Sequence, residues 1–512
     1  MKRTNVFSGG GSIYRLLNKN IKEFNKIKLS IICIAFLLTV GFISYKINSS
    51  YALFSDSITG EKTIEATVKL KNLDTSGANE PELGEGMIPV YYDESTETWR
   101  KASENNSNEK YRWYDYDNKM WANSVTVSST NRSKYLSASL GTEIPMDDIL
   151  TMQVWIPRYK YKVWNYNADG TATSNEQEIE ITFEKNKETT GEISCSDSIS
   201  GTDGKASETC KLKSTNVTCT NSSCNTKTYT HPAFTFGDNK IKGFWIGKFE
   251  LTGTIDNITI KPNSTSLRDQ SVSTFETNIM KMNSSNNKYG IPATIDTHMI
   301  KNSEWGAVAY LSHSKYGICT NGTCAEIGIN NNSNYITGCG AEPGSSKTTS
   351  CSYYNTSDGL LASTTQNIYG VYDISGGAYE YIMANIISTD GTTMLSGRDS
   401  TSNSGYTGKI YNSGNYTSYT GITYPNNKYY DKYSFSTSAT TIIRGKLGDA
   451  LKEIKKSSTG WNGDYLSLAR FNYPWFRRGG QYNSVNNAGL FCSDINTGAN
   501  NDNNSTRLII TP

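Results

Sequence analysis

The last stretch of the chain carries side chains suited to recognising a ligand. Residues 475–512 read WFRRGGQYNSVNNAGLFCSDINTGANNDNNSTRLIITP, and between Tyr482 and Ser505 nearly all of them are Asn, Ser, Asp, Ala and Gly. Amide, hydroxyl and carboxylate groups form adaptable hydrogen bonds, and tyrosine adds contact area at a modest cost in entropy, as in antibody loops. This composition indicates a recognition surface.

Few residues of the sequence are candidates for catalysis. The chain has three histidines, His231, His298 and His313, so the usual proton-transfer side chain is scarce. The sequence contains no GxSxG, HExxH or GxxxxGK[ST] motif. Asp373 and Glu380 form a candidate acid–base pair, but the favoured interpretation is that both carboxylates hold loops through hydrogen bonds. No catalytic residue is therefore assigned.

Eight cysteines fall into four pairs that are close in sequence. The pairs are Cys195 with Cys210, Cys219 with Cys224, Cys319 with Cys324, and Cys339 with Cys351. Each pair brackets Ser, Thr, Asn and Gly, which cannot build a core and gain from a covalent link. We predict local disulfides, formed in an oxidising compartment. Cys492 has no neighbouring partner.

Metal sites have little support. Zinc is the alternative for the cysteine pairs, but none has the C-x-x-C spacing and histidine is almost absent. Asn, Asp and carbonyl oxygens are so plentiful that the composition gives no evidence for calcium. We assign no metal and no cofactor.

The N-terminus predicts export. Basic residues precede the apolar run LSIICIAFLLTVGFISY at residues 29–45, which includes Cys33 and is just long enough to span a bilayer. The small residues Ser50 and Ala52 suit a signal peptidase, so the run is either a cleaved signal or a membrane anchor. The net charge is only +2, which disfavours nucleic acid as a partner.

The positioning elements are predicted as follows. A basic and hydrophobic export segment (1–52) is followed by a polar linker (53–85). Alternating aromatic, aliphatic and charged residues predict a β-rich module over 86–186, whose Trp and Tyr side chains are interpreted as cross-strand packing pairs and not as a sugar platform. A cysteine-containing loop insert (187–230) precedes a last module over 231–512.

Four segments of the last module resemble the formylglycine-generating enzyme superfamily. They are GFWIGKFELTG (243–253), the helix-like NSEWGAVAYLS (302–312), NIYGVYDISGGAYEYIMA (367–384), and WFRRGGQY with STRLIIT near the end. The resemblance implies an α+β fold: a C-terminal C-type-lectin-like domain with a twisted antiparallel sheet and long loops. The residues after the export segment also resemble Firmicute secreted matrix and camelysin-like proteins.

The resemblance implies which residues of the last module are structural and which positions would be catalytic. Glu380, Arg478, Gly479, Gly480 and Arg507 are scaffold: the glycines permit close backbone approach, and the arginines make forked hydrogen bonds, one of them to Glu380. The family's enzymes hold copper with two cysteines spaced C-x-x-x-x-C after the Gly-Gly pair. Ser484 and Gly489 occupy those slots here. We therefore predict that the chain is not an enzyme.

The C-terminal stretch also resembles the variable proteins of diversity-generating retroelements. In that branch a reverse transcriptase copies a template with errors at adenines, which scatters Asn codons among other residues. The resemblance implies a variable, ligand-binding surface made of Gln481, Tyr482, Asn483, Ser484, Val485, Asn486, Asn487, Phe491, Ser493, Asp494, Asn496, Asn500, Asn501, Asp502 and Asn503. The alternative is an AT-rich genome, because 404–436 are also rich in Asn and Tyr.

The resulting hypothesis is an exported binding protein at the surface of a Gram-positive-type bacterium or its phage. Its partner would be an extracellular protein or glycan, with membrane attachment if the N-terminal run is uncleaved. Its expected aromatic anchors are Tyr482 and five tyrosines of a second, Tyr-rich insert (404–436): Tyr406, Tyr411, Tyr416, Tyr419 and Tyr424. The alternatives are a structural component of a cell-surface or phage tail assembly and, third, a formylglycine-generating-type oxidase.

Overall fold

Short runs of β-branched and aromatic residues, separated by Gly, Asn and Ser turns, make strands the dominant elements. The computed structural model describes residues 71–166, 175–197, 199, 208–412, 414–454 and 459–512. The predicted export segment, including Cys33, and linker residues 53–70 lie outside the described residues. Among the residues described, no helix has the length and apolar character needed to cross a membrane.

The strands are given in chain order. Those before residue 231 are β1 Met87–Asp93, β2 Thr98–Lys101, β3 Asn123–Val127, β4 Ile149–Pro157, β5 Tyr159–Lys162, β6 Ile181–Phe183, β7 Ile193–Asp197, β8 Glu208–Leu212 and β9 Thr228–Thr230. The next are β10 Thr235–Phe236, β11 Asn239–Lys240, β12 Gly243–Gly247, β13 Thr252–Thr254, β14 Asn257–Thr259, β15 Asp296–Met299, β16 Cys319–Thr320, β17 Thr323–Cys324 and β18 Tyr379–Ile386. The last are β19 Leu395–Gly397, β20 Gly408–Asn412, β21 Asn415–Tyr419, β22 Asp431–Tyr433, β23 Trp475–Gly479, β24 Gly489–Asn496, β25 Asn504–Ser505 and β26 Leu508–Thr511.

Helices are few in the described part of the chain. They are α1 Ser129–Leu136, α2 Val272–Met280, α3 Asn302–Ser312 and α4 Ser357–Leu360. The bounds of α3 coincide with the helix predicted from NSEWGAVAYLS. Its first turn is closed by Glu304, whose carboxylate accepts a hydrogen bond from the Lys301 backbone N–H at 2.9 Å.

The main sheet joins two regions that the sequence analysis placed in separate modules. Its seven antiparallel strands have the order β15-β26-β12-β4-β3-β1-β2. Trp155 of β4 lies opposite Trp245 of β12. β4 is buried along nearly its whole length, so its backbone N–H and C=O groups must be paired with a neighbouring strand on each edge. Residues 73–512 consequently form one unit, and the predicted boundary between 86–186 and 231–512 does not divide the structure.

A second sheet carries the C-terminal stretch. Its order is β22-β18-β23-β24, and β25 also pairs with β18. The β23–β24 register shifts between Arg478 and Gly479, where the backbone of Gly479 has φ of +81°. The chain then continues through Gly480 at φ of +78° into the loop that precedes β24. Both glycines therefore hold conformations that disfavour a side chain.

The four predicted disulfides are confirmed. They link Cys195 to Cys210, Cys219 to Cys224, Cys319 to Cys324 and Cys339 to Cys351. Two of them join facing residues of the short hairpins β7–β8 and β16–β17. Cys492 is free and buried. The described residues thus form a mostly β protein with disulfide-linked loops, as is typical of chains that fold in an oxidising compartment.

Candidate binding surface

A buried ion pair supports the C-terminal stretch from below. The Arg507 guanidinium makes a two-pronged contact with the Glu380 carboxylate: Nε donates to Oε2 at 2.8 Å and Nη2 donates to Oε1. Arg507 also donates to the carbonyls of Gly247 at 3.0 Å and Tyr372 at 2.9 Å. Both charged side chains are fully buried. The predicted pairing of Glu380 with a scaffold arginine is confirmed, and it connects β18, β26 and the end of β12.

Arg478 and the two glycines shape the turn that follows β23. Arg478 donates from Nη2 to the Ala450 carbonyl at 3.2 Å and lies 5.6 Å from the centre of the Trp305 ring. A Cβ atom added at Gly480 would lie 2.7 Å from the Cα and Cβ atoms of Ala488. Glycine is therefore required at position 480 both by its backbone angle and by the close approach of Ala488.

One arginine of the C-terminal stretch is stacked on a tyrosine. The Arg477 guanidinium carbon lies 3.6 Å from the centre of the Tyr379 ring. Its Nε donates to the Asp494 carboxylate at 3.0 Å, and its Nη1 donates to Asn504 at 3.1 Å. About one sixth of each side chain of the Arg477–Asp494 pair is exposed. The arginine is thus fixed in place while one edge of the pair reaches solvent.

A second arginine and tyrosine lie beside the same stretch. The Arg268 guanidinium carbon is 3.8 Å from the centre of the Tyr335 ring, and the Tyr482 ring meets Tyr335 edge-on at 4.9 Å. The Tyr335 hydroxyl donates to Asn503 at 2.5 Å. Burial and the neighbouring Tyr482 raise the pKa of Tyr335 to about 12, so it keeps its proton at neutral pH. Arg268 also donates to the carbonyl of Asp502.

Most of the predicted ligand-binding residues reach the surface. Asn483, Asn486, Asn487, Asn500 and Asp502 are exposed, and Gln481, Tyr482, Ser484, Val485, Asp494, Asn496, Asn501 and Asn503 are half-buried. We call these residues, together with Arg268, Tyr379 and Arg477, the C-terminal surface; Tyr335 is buried directly beneath it. Asn500 donates to the Asp269 carboxylate at 3.3 Å, and the Asp269 backbone N–H donates to the Asn501 carbonyl at 3.0 Å. These contacts hold the loop before β25 against the segment before α2.

Two predicted surface residues lie in the interior. Phe491 packs edge-on against Trp461, with ring centres 5.1 Å apart, and Ser493 donates to the Ser467 carbonyl at 2.8 Å. Both are fully buried. The segment 461–467 runs along the outside of β24 and pairs with it, Leu466 lying beside Ser493 in a parallel bridge. Residues 489–493 of β24 are buried on both faces of the strand, whereas residues 494–496 are half-buried.

The tyrosines of the insert were predicted as ligand anchors. Tyr406 is buried and stacks on Tyr424 at 4.4 Å, and Tyr424 lies parallel to the Trp475 ring at 6.2 Å. Tyr411 and Tyr416 are half-buried and pack against Phe471 and Phe435, respectively. Tyr419 is half-buried on β21. Tyr406 and Tyr424 thus pack on Trp475 of β23, and Tyr411 and Tyr416 pack on rings outside that strand. Packing accounts for the positions of these four rings, and Tyr406 is excluded as an anchor because it is buried.

The candidate acid–base pair is enclosed. Asp373 and Glu380 are fully buried, and Asp373 accepts hydrogen bonds from Asn330 and the Gly338 N–H, each at 2.8 Å. Burial raises the pKa of Asp373 to about 6. Burial and the nearby Asp373 also raise the pKa of Glu250 well above its ordinary value. These groups hold loops together and do not face solvent.

A further buried carboxylate, Glu453, lies away from the C-terminal surface. Its Oε2 accepts hydrogen bonds from the Tyr161 and Tyr310 hydroxyls, both at 2.8 Å, and from the Gly448 N–H at 2.9 Å. Burial raises the pKa of Glu453 to about 8. At neutral pH it is therefore a neutral carboxylic acid inside the fold.

Two clusters in the described residues have the composition of a metal site. They are His313 with Cys319 and Cys324, and Glu208 with Cys195 and Cys210. In both clusters the two cysteines form a disulfide with each other. A disulfide sulfur lacks the thiolate charge that makes cysteine a strong metal ligand.

The two arginine–tyrosine stacks were not among the residues predicted from the sequence. Arg477 adjoins the recognised Arg478–Gly480 motif, and its position on the opposite face of β23 is the signal that could have identified it. Arg268 and Tyr335 lie in loops far from the C-terminal stretch in sequence. Nothing in their local sequence indicates that they meet Tyr482.

Comparison with known proteins does not identify the chain. No family matches the sequence, and no curated protein matches it. A solved structure of the Major Tropism Determinant U1 Variant is similar over 87% of this chain and 99% of its own, with 11% sequence identity and a TM-score of 0.19. A TM-score of this size does not establish a common fold. The function of the chain must therefore be inferred from its own surface.

Proposed function

We propose that this chain is an exported binding protein whose ligand, an extracellular protein or glycan, contacts the C-terminal surface. The observation that carries the proposal is a pair of ordered arginines, Arg477 stacked on Tyr379 and Arg268 held over the buried Tyr335 ring, beside a row of exposed amides. Arginine and tyrosine are the residue types that dominate binding energy at protein interfaces. The exposed amides add adaptable hydrogen bonds around them.

Pre-organisation supports a binding role. The Arg477 side chain is already held by Asp494 and Asn504, and the Arg268 guanidinium lies on the buried Tyr335 ring, so little further entropy is lost when a ligand docks. Below them, the buried Arg507–Glu380 pair fixes the strands. The side chains most able to contribute binding energy thus stand on a rigid support.

We further propose that the last module has a C-type-lectin-like fold and that its C-terminal stretch is diversified. The seven-stranded antiparallel sheet, the two helices α2 and α3 and the long loops support the fold. The exposure of Asn483, Asn486, Asn487 and Asn500 supports diversification, because substitutions there meet solvent and spare the core. Phe491 and Ser493 are excluded from the diversified set because they are buried.

A binding role is favoured over an enzymatic one. Ser484 and Gly489 stand where a formylglycine-generating-type oxidase would carry its copper ligands. The carboxylates Asp373 and Glu380, the remaining catalytic candidates, are buried beneath the surface. Four disulfides in the described residues support folding outside the cytoplasm.

The test is a binding assay with the full-length chain on intact bacterial cells and on a glycan array. The variants Tyr482→Ala and Asn483→Ala change the C-terminal surface, and Asn415→Ala changes an exposed asparagine on β21 as the matched control. We expect Tyr482→Ala to weaken binding about tenfold or more, Asn483→Ala to weaken it less, and the control to bind normally. Equal binding by all variants would refute the assignment of the site.

Oligomeric state separates binding from the structural alternative. A receptor-binding protein keeps its dependence on the C-terminal surface at every concentration, whereas a scaffold forms regular oligomers that the Tyr482→Ala variant does not disturb. Sedimentation of the full-length chain makes this distinction. For diversification, the decisive observation is a near-copy of the codons for 475–512, differing only at adenines and lying beside a reverse-transcriptase gene.

A further inference from the structure

The described residues also form a cavity, which lies apart from the C-terminal surface. It has a volume of about 590 Å³ and is enclosed by the β1–β2 hairpin, the turn at Tyr116–Asn118 and the loop before Val371. Its size lies within the range of small-ligand sites. We call it the hairpin cavity; among its lining residues are Tyr92, Glu94, Glu97, Asn118, Asn355 and Tyr369.

The walls of the hairpin cavity are fixed by contacts between distant parts of the chain. The Tyr369 hydroxyl donates to the Tyr92 carbonyl at 3.3 Å and accepts from the Tyr92 N–H at 3.4 Å. The Trp99 ring meets both tyrosine rings edge-on, at 5.3 Å from Tyr92 and 6.2 Å from Tyr369. Asn355 adds a hydrogen bond to the Tyr92 hydroxyl at 3.4 Å. The cavity is therefore formed before any ligand arrives.

The side-chain amides in the lining donate to the protein itself. The amide nitrogen of Asn118 donates to Asp115 at 2.8 Å, that of Asn367 to the Lys119 carbonyl at 3.0 Å, and that of Asn355 to the Tyr92 hydroxyl. For a ligand these contacts leave, within the described residues, one donor, the Tyr92 O–H, and a larger set of acceptors: the amide oxygens of Asn118 and Asn355 and the carboxylates of Glu94 and Glu97. The cavity therefore suits a ligand rich in donors.

The charges of the lining also favour a ligand that carries hydrogen-bond donors. The lining holds the carboxylates of Glu94, Glu97 and Asp115 and a single guanidinium, that of Arg112. The terminal nitrogens of Arg112 already contact Asp115 and, at 2.6 Å, Glu109. An anionic ligand would face uncompensated carboxylates, whereas an ammonium group would be attracted to them.

We propose that the hairpin cavity binds an amine-bearing saccharide. The hydroxyl and ammonium groups of such a ligand supply the donors that the carboxylates and amide oxygens require. Its ring C–H faces match the apolar part of the lining, which includes Met120, Leu360 and Ile368. This site is separate from the C-terminal surface, and the two proposals stand or fall independently.

Calorimetric titration of the full-length chain with a β-1,4-linked glucosamine trisaccharide tests the proposal. The comparison ligands are the N-acetylated trisaccharide, a galacturonic acid trisaccharide and spermidine. We expect the glucosamine trisaccharide to bind about tenfold more tightly than its N-acetylated form, because two ammonium–carboxylate pairs, with Glu94 and Glu97, at about 0.7 kcal/mol each add up to about 1.4 kcal/mol. The galacturonic acid trisaccharide should not bind.

Protein variants locate the site. Glu94 and Glu97 are exposed, so the double variant Glu94→Gln, Glu97→Gln should fold normally. It should lose the tenfold preference for the glucosamine trisaccharide, while Glu180→Gln, an exposed carboxylate outside the cavity, should keep it. Failure of the glucosamine trisaccharide to bind, equal binding of the uronic acid, or a preference that survives the double variant would each overturn the proposal. Spermidine binding as tightly as the sugar would overturn the saccharide assignment.

Discussion

Replacing Glu380 by glutamine should weaken the protein severely without changing its outward shape. The variant keeps the size of the side chain but leaves the Arg507 guanidinium charged, fully buried and without its carboxylate. Removing one partner of a buried ion pair typically costs about 3 to 5 kcal/mol. Asp373 also interacts electrostatically with Arg507, so some compensation remains. We therefore expect a loss near the lower limit, about 3 kcal/mol.

Guanidinium chloride unfolding, followed by tryptophan fluorescence, measures this loss. The matched control is Glu180→Gln, which removes the carboxylate of an exposed pair with Lys162 and should change the free energy of unfolding by less than about 0.5 kcal/mol. Arg507→Lys should resemble Glu380→Gln, since an ammonium group cannot replace the two-pronged contact and the two carbonyl contacts together. A loss below about 1 kcal/mol for Glu380→Gln would refute the view that this pair supports the C-terminal surface.

Three further predictions concern stability. The pKa of Glu453 is raised to about 8, so its contribution to stability is complete at low pH and is lost as the pH rises from about 4.5 to 8. Over that range the free energy of unfolding should fall by up to about 1.4 kcal/mol per pH unit. Glu453→Gln should flatten the pH dependence of the denaturation midpoint, and an unchanged slope contradicts the assignment. Replacing Cys339 and Cys351 by serine opens a link of sequence separation 12 and should cost about 3 kcal/mol in calorimetry, whereas a Tm equal to that of the parent would show that the loop is held by other contacts. Gly480→Ala should cost more than Gly322→Ala, about 3 against about 1 kcal/mol in urea unfolding, because both have positive φ but only the first is crowded; equal losses argue against crowding.

Sequence patterns predicted the local features of the fold well. The four disulfides follow from the short spacing of their cysteines, and α3 follows from the helical spacing of Trp305, Val308 and Leu311. The pairing of Glu380 with one of the two scaffold arginines was predicted from the motif frame of the family resemblance, and the structure identifies that arginine as Arg507. In each case the information lies in a short segment or in a known motif.

Long-range contacts were beyond prediction. Alternation shows that β4 and β12 are strands, but it does not state that they are neighbours. The burial of Phe491 and Ser493 could not be predicted for the same reason: segment 461–467 pairs with β24, and nothing in the sequence of β24 indicates this contact. The meeting of Arg268, Tyr335 and Tyr482 likewise depends on loops that are brought together only by the whole fold.

The shared seven-stranded sheet limits how this protein can be cut or recombined. A fragment that starts at residue 231 would keep β12 but lose β4, and the bare backbone donors and acceptors along that edge would invite aggregation. The segment from residue 231 onward is therefore not a separable domain. Transferring the C-terminal surface to another protein requires the strands before residue 231 to be transferred with it, whereas exposed residues of its loops can be substituted without breaking the shared sheet.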